Sequence, residues 1–342
     1  MKESPRESEA AAAPRYLTLA RKIARSVVAR MAASMLLLAF VLWRVDLTDV
    51  AAAIAATNLA LFVAAALLDL PGLIIRAIRW RLLLRAHGQE QSVAHLSHAI
   101  MVGLFFNNLL PTSFGGDGYR ALALARPCGS LAISTATVLV DRLLGVIALV
   151  AFASVALLIG VSAEVATGPI WILLVGVSAL LALAFAMMHG DRAVWLNRFL
   201  PGRALKANLD RFLQALAVYR GQPRVIVAGL FWSFLLQIKV IAQFYLFGLA
   251  LGLSVSIIVY ALFVPIIFLL LLLPISIGGL GVREGLFAAF FSTVGVDPAQ
   301  AVALSWLWYG SGLIQALYGG YMLAISRGEE KRWLLPVIRQ QE

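Results

Sequence analysis

The sequence has few of the residues that identify most enzymes. Its single cysteine, Cys128, cannot form an intrachain disulfide and has no convincing histidine partner, so it gives no reason to propose a thiol enzyme. The four histidines show no metal-ligand arrangement with cysteine or carboxylates. There is no GxxxxGKS/T motif, which excludes a P-loop ATPase. We therefore predict neither a cofactor nor a metal site, and we do not expect an enzyme.

Charged residues are also scarce, and their scarcity indicates that the protein folds in a membrane. Only 13% of the 342 residues are charged, 62% are hydrophobic and the mean hydropathy is +0.91. A chain of this composition has too little polar surface to coat a water-soluble globule. The apolar residues form runs near the ~20 needed for a helix to cross a bilayer, without the alternating segments of a membrane β-barrel. The sequence predicts an all-α, multi-pass membrane protein with about 6 to 8 transmembrane helices.

Six apolar runs are predicted to span the membrane. They are roughly Met31–Val45, Leu59–Ile78, Leu131–Val161, Pro169–Met188, Val225–Leu251 and Ala299–Ile325. Two further runs, Val93–Leu110 and Val255–Leu273, each lead into a segment rich in proline and glycine, and Leu286–Val294 is too short to span alone. Together these segments define a transmembrane domain over residues 29–326.

Basic residues predict the orientation of this domain. Of the 28 Lys and Arg residues, 22 fall in four blocks: residues 1–30, Arg76–Arg85, Arg192–Arg224 and Arg327–Arg339. The positive-inside rule places these blocks in the cytoplasm, so we expect a bacterial inner-membrane protein whose tails, residues 1–28 and 327–342, are both cytoplasmic. Residues 203–220 are predicted to form an amphipathic helix on the inner leaflet. Because basic loops facing anionic lipid explain the net charge of +11, we expect no nucleic-acid partner.

One motif occurs twice. The stretch "LLPTSFGGDGYR" at Leu109–Arg120 returns as "LLPISIGGLGVR" at Leu272–Arg283, with eight of twelve positions identical. The orientation of the flanking spans requires residues 93–130 to cross the membrane an even number of times, which favours a re-entrant hairpin entering from the cytoplasm. Residues 255–294 form either two full spans or a second hairpin entering from the opposite face. Two hairpins would make an inverted repeat with both tips near the midplane.

The residues of the motif suggest the chemistry of these tips. Irregular backbone at membrane depth is tolerated only where protein or a watery cavity satisfies it, so the motifs predict a cavity. Glycine allows backbone N–H groups to approach a ligand, and a helix that restarts after the glycines directs its positive end at an anion. Arg120 and Arg283, at matching positions, would supply planar forks for one phosphate. The alternative is that the glycines only close tight turns and the arginines only anchor them.

Four ionisable residues inside the apolar runs indicate a polar interior, because each is costly in a membrane unless paired or hydrated. They are Asp69, Asp141, Arg142 and Lys239. Adjacent residues on a helix point about 100° apart, so we expect one of Asp141 and Arg142 to face the cavity and the other to pair with a neighbour. The alternative is a set of buried ion pairs, such as Asp69 with Lys239, that only lock helices together.

The stretches "NNLLPTSFGGDGYR", "VDRLLGV" and "LPISIGGLGVRE" resemble the lysylphosphatidylglycerol synthase transmembrane-region family, also described as flippase-like membrane proteins, which includes members associated with hopanoid synthesis. The resemblance covers roughly residues 25–327. It implies the handling of a lipid: in the multidomain synthases this region is thought to move an aminoacylated phospholipid between leaflets, while a separate soluble domain makes it. Because this chain ends at Glu342 without that domain, we expect no lysylphosphatidylglycerol synthesis by it.

The resemblance implies a lipid transporter that binds an anionic headgroup between motifs at residues 107–120 and 272–284. By the family's motif, the residues expected to line one half are Asn108, Pro111, Gly115, Gly116, Asp117 and Arg120. Those expected to line the other half are Pro274, Gly278, Gly279, Gly281, Arg283 and Glu284. Asp141 and Arg142 are expected to complete the polar wall, and Asp69 and Lys239 are further candidates to line the cavity.

The expected partners are membrane lipids, either an anionic phospholipid or an isoprenoid or hopanoid lipid, and a lipid-modifying enzyme is a further candidate. Two other functions remain open. One is a membrane-embedded transferase acting on a lipid phosphate, with Asp117 or Glu284 as general base. The other is a non-catalytic scaffold that holds a glycolipid or hopanoid enzyme at the membrane.

Single cysteines in a Cys128→Ser background test the predicted orientation. A cysteine at Ser162 should react with an impermeant thiol reagent added from the periplasm, whereas a cysteine at Gln222 should be protected. Labelling of Gln222 from the periplasm would contradict the orientation. At Ser276, a midplane tip should be labelled slowly through the cavity, while a cytoplasmic loop should react only from the inside.

Overall fold

The computed structural model describes residues 34–40, 45–109, 115–159, 174–179, 203–273, 276 and 278–325. Its helices are α1 (residues 34–40), α2 (Leu47–Ala55), α3 (Leu59–Leu67), α4 (Asp69–Arg85), α5 (Val93–Leu109), α6 (Gly115–Ala125), α7 (Leu131–Ile159), α8 (residues 174–179), α9 (Arg203–Ala217), α10 (Pro223–Ala250), α11 (Ile257–Leu271), α12 (Val282–Ser292) and α13 (Pro298–Ile325). About half of the predicted span Met31–Val45 and most of Pro169–Met188 lie outside the described residues, as do Pro111 and Pro274.

The prediction of a helical membrane protein is confirmed. The described residues contain no strand. Three helical segments are long and apolar enough to cross a bilayer: α3 with α4 (27 residues), α7 (29 residues) and α10 (28 residues). Helix α13 also has 28 residues, about 42 Å at 1.5 Å per residue. Helix α4 continues to Arg85, past the predicted end at Ile78, and its residues Arg76 and Arg79 line an internal cavity.

Short polar side chains set where several helices begin. Asp46 accepts a hydrogen bond from the Thr48 backbone N–H at 2.8 Å at the start of α2. Asn58 accepts one from the Leu61 N–H at 3.2 Å at the start of α3. Such side chains satisfy backbone donors that the first turn of a helix leaves free. The local sequence therefore defines helix ends inside a chain whose hydrophobicity is otherwise nearly continuous.

Each copy of the motif joins a longer helix to a shorter one. Helices α5 and α11 have 17 and 15 residues, and both α6 and α12 have 11. An 11-residue helix is about 17 Å long, roughly half of the hydrocarbon thickness. The two copies thus form helical hairpins of the same plan, α5–α6 and α11–α12, in which the second arm is too short to cross a bilayer.

Helix α13 packs against both hairpins, mainly on α5 and α12. Its glycines permit this approach: a Cβ at Gly319 would overlap the backbone carbonyl oxygen of Met101, and a Cβ at Gly320 would lie 2.7 Å from the Phe105 ring. On the other side, α11 and α12 bury an aromatic cluster that includes Phe263 and Phe291. The hairpins are therefore held in place by longer helices with which they interlock.

The predicted amphipathic segment is helical, as α9 followed by a 3-10 turn at Val218–Gly221. Part of its apolar face covers protein. Leu216 is buried in a cluster with Leu83 and Leu144, and the Tyr219 hydroxyl donates to the Leu83 carbonyl oxygen at 3.0 Å. These contacts tie the segment to α4 and α7.

Cys128 lies in the turn between α6 and α7 and is 5% exposed. Burial raises the pKa of its thiol to about 11. Because the thiolate is the reactive form of cysteine, we expect Cys128 to react more slowly with thiol reagents than an exposed cysteine.

The close contact between α13 and α5 generates a stability prediction. Gly319→Ala should lower the apparent melting temperature in detergent, because the added methyl group overlaps backbone that cannot rotate away; overpacking of this kind costs about 1–3 kcal/mol. The matched control is Gly310→Ala in the same helix, where a Cβ meets no atom within 4 Å. The control should melt at or above the wild-type temperature, since alanine is the better helix former. Equal melting of both variants would contradict this packing.

Candidate functional site

Two adjoining cavities lie between the hairpins and the long helices. The first, of about 330 Å³, is lined by α4, α5, α6, α7, α10 and α11; we call it the motif-1 cavity. The second, of about 400 Å³, is lined by residues of α4, α5, α7, α10, α11, α12 and α13 and of the second motif's loop; we call it the motif-2 cavity. The two share part of their walls. The shared residues are Arg76, Leu104, Asn107, Arg142, Leu236, Val240 and Phe268.

Asp141 is the centre of the ion network in the motif-1 cavity. The residue is 4% exposed, and each of its carboxylate oxygens binds a different arginine. Arg79 Nε donates to Oδ1 at 2.6 Å, and Arg120 Nη2 donates to Oδ2 at 3.1 Å. Arg79 Nη1 also donates to the Ser233 hydroxyl at 2.8 Å. This one carboxylate therefore connects α4, α6 and α7, and Arg79 extends the connection to α10.

Asp117 extends the ion network to Arg142, the most exposed of its arginines. Its Oδ2 accepts from Arg142 Nε at 2.5 Å, and its Oδ1 lies 3.4 Å from Arg120 Nη1. The side chain of Arg142 is 35% exposed, far more than those of Arg79 and Arg120. Asp141 and Arg142 both line the cavity and both pair with neighbours, so the expectation that only one of them faces it was wrong.

The arginines that end the two motifs are held in the same manner. The Arg120 guanidinium carbon lies 4.2 Å from the centre of the Trp80 ring, and that of Arg283 lies 4.2 Å from the centre of the Tyr309 ring. A guanidinium over an aromatic face gains electrostatic stabilisation without losing its charge. Each arginine is also paired with a carboxylate, Arg283 with its neighbour Glu284. The internal repeat is therefore one of side-chain packing as well as of sequence.

The motif-2 cavity has its own ion pair between spanning helices. Lys239 Nζ on α10 donates to Asp69 Oδ1 on α4 at 2.9 Å and to Gln243 Oε1 at 2.7 Å. Gly72 permits the contact, because a Cβ there would lie 2.9 Å from Lys239 Cε. This is the ion pair that the sequence suggested as a helix lock, and it also lines a cavity.

The first donors of the two short helices are bonded within the protein. Gly116 N–H donates to Asn107 Oδ1 at 2.7 Å, and Gly281 N–H donates to Glu284 Oε2 at 2.8 Å. A Cβ at Gly116 would overlap the carbonyl oxygen of Gly103 on α5. Gly281 has φ +78°. The roles that the structure gives these glycines are therefore close packing and turn formation, and both backbone N–H groups are already occupied.

Arg76 differs from the other cavity cations. Among the described residues it forms no salt bridge, and its recorded hydrogen bond runs from Nε to the backbone carbonyl oxygen of Gly72 at 3.2 Å. It lines both cavities, as Arg142 and Asn107 do. A cation with no carboxylate at salt-bridge distance among the described residues therefore lies where the two cavities meet, and the charges of Asp69 and Asp141 act on it at longer range.

Several buried polar atoms that line the cavities have no hydrogen-bond partner in the described structure. The donors are Arg120 Nε, Arg283 Nε, Gln237 Nε2 and Gln243 Nε2; the acceptors are Asp69 Oδ2 and Gln315 Oε1. Leaving a buried polar group unpaired costs about 1–3 kcal/mol. The surplus of donors is suited to a ligand that offers acceptor oxygens.

The structure separates the residues predicted for one site into neighbouring groups. Gly116, Asp117, Arg120, Asp141 and Arg142 line the motif-1 cavity. Asn108, Gly278, Gly279, Arg283, Asp69, Lys239 and again Arg142 line the motif-2 cavity. Arg283 and Glu284 also line a third, mostly apolar cavity of about 450 Å³ beside α1, α2 and α3. Gly115 and Gly281 line none of these three cavities, and Arg120 and Arg283 share no cavity.

Sequence reasoning missed the contributions of α4. Arg76 and Arg79 were counted with Arg81 and Arg85 as a cytoplasmic basic block, but the structure places both against the cavities. Arg79 is 5% exposed, whereas Arg81 and Arg85 pair with Glu90 at the end of the helix. Their position in the sequence could have indicated this, because Arg76 and Arg79 fall within a helix that continues from an apolar run.

Within the described part of the chain, no group of three or more histidine, cysteine or acidic side chains is arranged to hold a metal ion. The carboxylates of the motif-1 cavity are instead bound by arginines. The polar part of the cavity walls is thus mainly cationic and hydrogen-bond-donating, and the rest of the lining is apolar.

Residues 27–319 match the protein family described as the lysylphosphatidylglycerol synthase TM region. A UPF0104 membrane protein of Methanothermobacter thermautotrophicus is 28% identical over 249 residues, which is 66% of this chain and 73% of that protein. A second one from this organism is 26% identical over 261 residues, 68% of this chain and 74% of that protein. A UPF0104 membrane protein of Pyrococcus horikoshii is 23% identical over 261 residues, 68% of this chain and 77% of that protein.

The ion network generates a prediction about stability. Asp141→Asn keeps the shape of the side chain but leaves Arg79 and Arg120 without their shared charge. Removing one partner from a buried ion pair costs about 3–5 kcal/mol, so we expect a clear drop in melting temperature and in the yield of folded protein. The control is Asp49→Asn on the exposed surface of α2, which should change stability by less than about 0.5 kcal/mol. Wild-type melting of Asp141→Asn would show that Asp141 does not support the fold.

Proposed function

The chain belongs to the lysylphosphatidylglycerol synthase transmembrane-region family, and we propose that it moves a lipid with an anionic headgroup between the leaflets of a membrane. In this proposal the headgroup passes through the two joined cavities while the hydrocarbon tails stay in the bilayer. Family membership supports a membrane protein of this kind.

The observation that carries the proposal is the cationic junction of the cavities. Arg76 and Arg142 line both cavities, and Arg76 forms no salt bridge among the described residues. A charged group in a membrane interior is costly unless it meets a counter-charge or water. A phosphate at this junction would supply that counter-charge and accept hydrogen bonds from the guanidinium groups.

The paired hairpins support movement across the membrane. Helices α6 and α12 are too short to span; α6 begins with the glycines of the first motif, and α12 follows those of the second. We propose that both hairpins are re-entrant and enter from opposite faces, which gives an inverted repeat whose two halves can open the central cavities to alternate sides. This arrangement has both termini in the cytoplasm and suits the inner membrane of a bacterium.

The arginines of the motifs act in sequence in this proposal. Arg120 lines the motif-1 cavity and Arg283 lines the motif-2 cavity, so one phosphate does not meet both in this conformation. Each would instead bind the headgroup as it enters or leaves the junction at Arg76. The Nε atoms of Arg120 and Arg283 lack partners within the described structure but are buried, so in this proposal the side chains turn toward the headgroup as it passes.

A transferase is less well supported by the contacts of the acidic residues. Both oxygens of Asp117 are engaged by arginines, and those of Glu284 by Arg283 and the Gly281 N–H. A general base must be free to take up a proton from its substrate. We therefore favour transport over chemistry on the lipid phosphate.

Lipid movement in liposomes tests the proposal. Purified wild-type protein should scramble a tail-labelled anionic lipid without any other protein. Arg120→Ala and Arg283→Ala should each lower the rate per folded molecule by roughly tenfold or more, since a charge-assisted hydrogen bond contributes about 1.5–3 kcal/mol. Lysine at either position should restore part of the rate, because it keeps the charge but loses the planar fork.

Melting temperatures in detergent, measured on the same preparations, separate transport from folding. Arg85→Ala is the matched control, since this side chain is 49% exposed and pairs with Glu90 outside the cavities. If both arginines only anchor their turns, alanine should lower stability without a specific loss of transport, and lysine should rescue almost fully. Wild-type transport in the Arg120→Ala, Arg283→Ala double variant would refute the role of these arginines.

A further inference from the structure

The ionisable side chains around the two cavities carry a net positive charge. Six cationic side chains line them: Arg76, Arg79, Arg120, Arg142, Lys239 and Arg283. Four carboxylates pair with these cations: Asp69, Asp117, Asp141 and Glu284. The described walls of the cavities thus carry an excess of two positive charges.

The excess is confined to one region. Lys239 is matched by Asp69, and Arg283 is matched by Glu284, so the motif-2 pairs are neutral. The motif-1 network holds three arginines on two aspartates, because Arg120 shares both Asp117 and Asp141 with its neighbours. Arg76 adds a second cation to the excess: Asp69 and Asp141 act on it at longer range, but both are already paired with other cations, and Arg76 lines both cavities.

Unpaired hydrogen-bond donors accompany this excess of positive charge. Gln237 is 5% exposed and lines the motif-1 cavity; Gln243 has no exposed surface and lines the motif-2 cavity. The Nε2 atom of each lacks a partner in the described structure. Buried charges and buried donors are both costly when unmatched. A ligand that compensates the charge must be negative, and acceptor oxygens on it would also suit these donors if the two glutamine side chains turn toward it.

We infer that the site takes a phosphate monoester or diphosphate headgroup, which carries about two negative charges, in preference to a phosphodiester. This inference rests on the proposed function and names its substrate class. A phosphoryl monoester has roughly −1.5 to −2 charge at pH 7 and three strong acceptor oxygens. A phosphodiester such as phosphatidylglycerol carries one negative charge and leaves one cation of the excess unmatched.

The excess positive charge of the cavities also disfavours an aminoacylated lipid. The headgroup of lysylphosphatidylglycerol has one phosphate and two amines, so its net charge is positive. Two of its charges would meet cations of the same sign beside Arg76 and Arg142. The cavities of this chain are therefore selective for a lipid of the opposite net charge to the one in the family's name.

The test compares lipids that differ only in the headgroup. Wild-type protein is reconstituted into liposomes with a trace of one tail-labelled lipid: phosphatidic acid, phosphatidylglycerol, lysylphosphatidylglycerol or phosphatidylcholine. Phosphatidic acid should be scrambled about tenfold faster than phosphatidylglycerol, with the other two slower still, because one added charge-assisted contact has about that effect. Equal rates for phosphatidic acid and phosphatidylglycerol would overturn the inference and leave lipid transport intact.

A charge-removing variant ties the preference to the excess charge. Arg76→Gln lowers the excess by one and should reduce the preference for phosphatidic acid over phosphatidylglycerol by about tenfold. Arg85→Gln, on the same helix but exposed and paired with Glu90, should leave the preference unchanged. An unchanged preference in Arg76→Gln, with folding verified by its melting temperature, would contradict the assignment to this site.

Binding measured by native mass spectrometry separates this inference from transport itself. Retention of phosphatidic acid over phosphatidylglycerol by a protein that scrambles neither would support the inference and refute the proposed transport. Inorganic phosphate provides the remaining comparison. If it raises the melting temperature as much as phosphatidic acid at equal concentration, the site belongs to the free ion, and the lipid assignment is overturned.

Discussion

The carboxylate of Asp141, held between Arg79 and Arg120, is the interaction on which the interior of this protein depends. It joins two long helices, α4 and α7, to the short arm of the first hairpin, and α10 is tied in through Ser233. None of these charges is stable alone in a membrane, and each is buried because the others are. The helices are therefore fixed around a polar centre, which keeps a cavity open where apolar side chains would have closed it.

The two motifs hold equivalent arginines but differ in what surrounds them. Both guanidinium groups stack on an aromatic ring and both bind a carboxylate. In the first motif Asp117 reaches across to Arg142, whereas Leu280 occupies the matching position in the second and Arg283 pairs with its neighbour Glu284. The first hairpin is thus coupled to a spanning helix, while the ion pair of the second is contained within α12. This asymmetry places the excess positive charge on the side of the first motif.

Hydropathy and the repeat made much of the architecture predictable. Helices α5, α10, α11 and α13 begin and end within a few residues of the predicted runs, since an apolar run in a bilayer must satisfy its own backbone by forming a helix. The pair of Asp69 with Lys239 was foreseen as one of two interpretations because few partners exist inside a membrane. The two hairpins followed from helix-breaking residues at matching positions.

The sequence by itself determined that this chain is a helical membrane protein with two related interruptions of its helices. Hydrophobic runs and helix-breaking proline and glycine residues act within their own segment, so their effect does not depend on the tertiary structure. Only the tertiary structure decided which charges meet. Arg76 and Arg79 look like the end of a span in the sequence, yet they line the motif-1 cavity, because helix α4 continues past them and packs on α7 and α10. Arg120 and Arg283 occupy matching positions, yet they line different cavities, because Arg120 pairs with Asp117 and Asp141 over the Trp80 ring, whereas Arg283 pairs with Glu284 over the Tyr309 ring. Which charged side chains pair depends on the distances between helices, and these distances cannot be read from a single sequence.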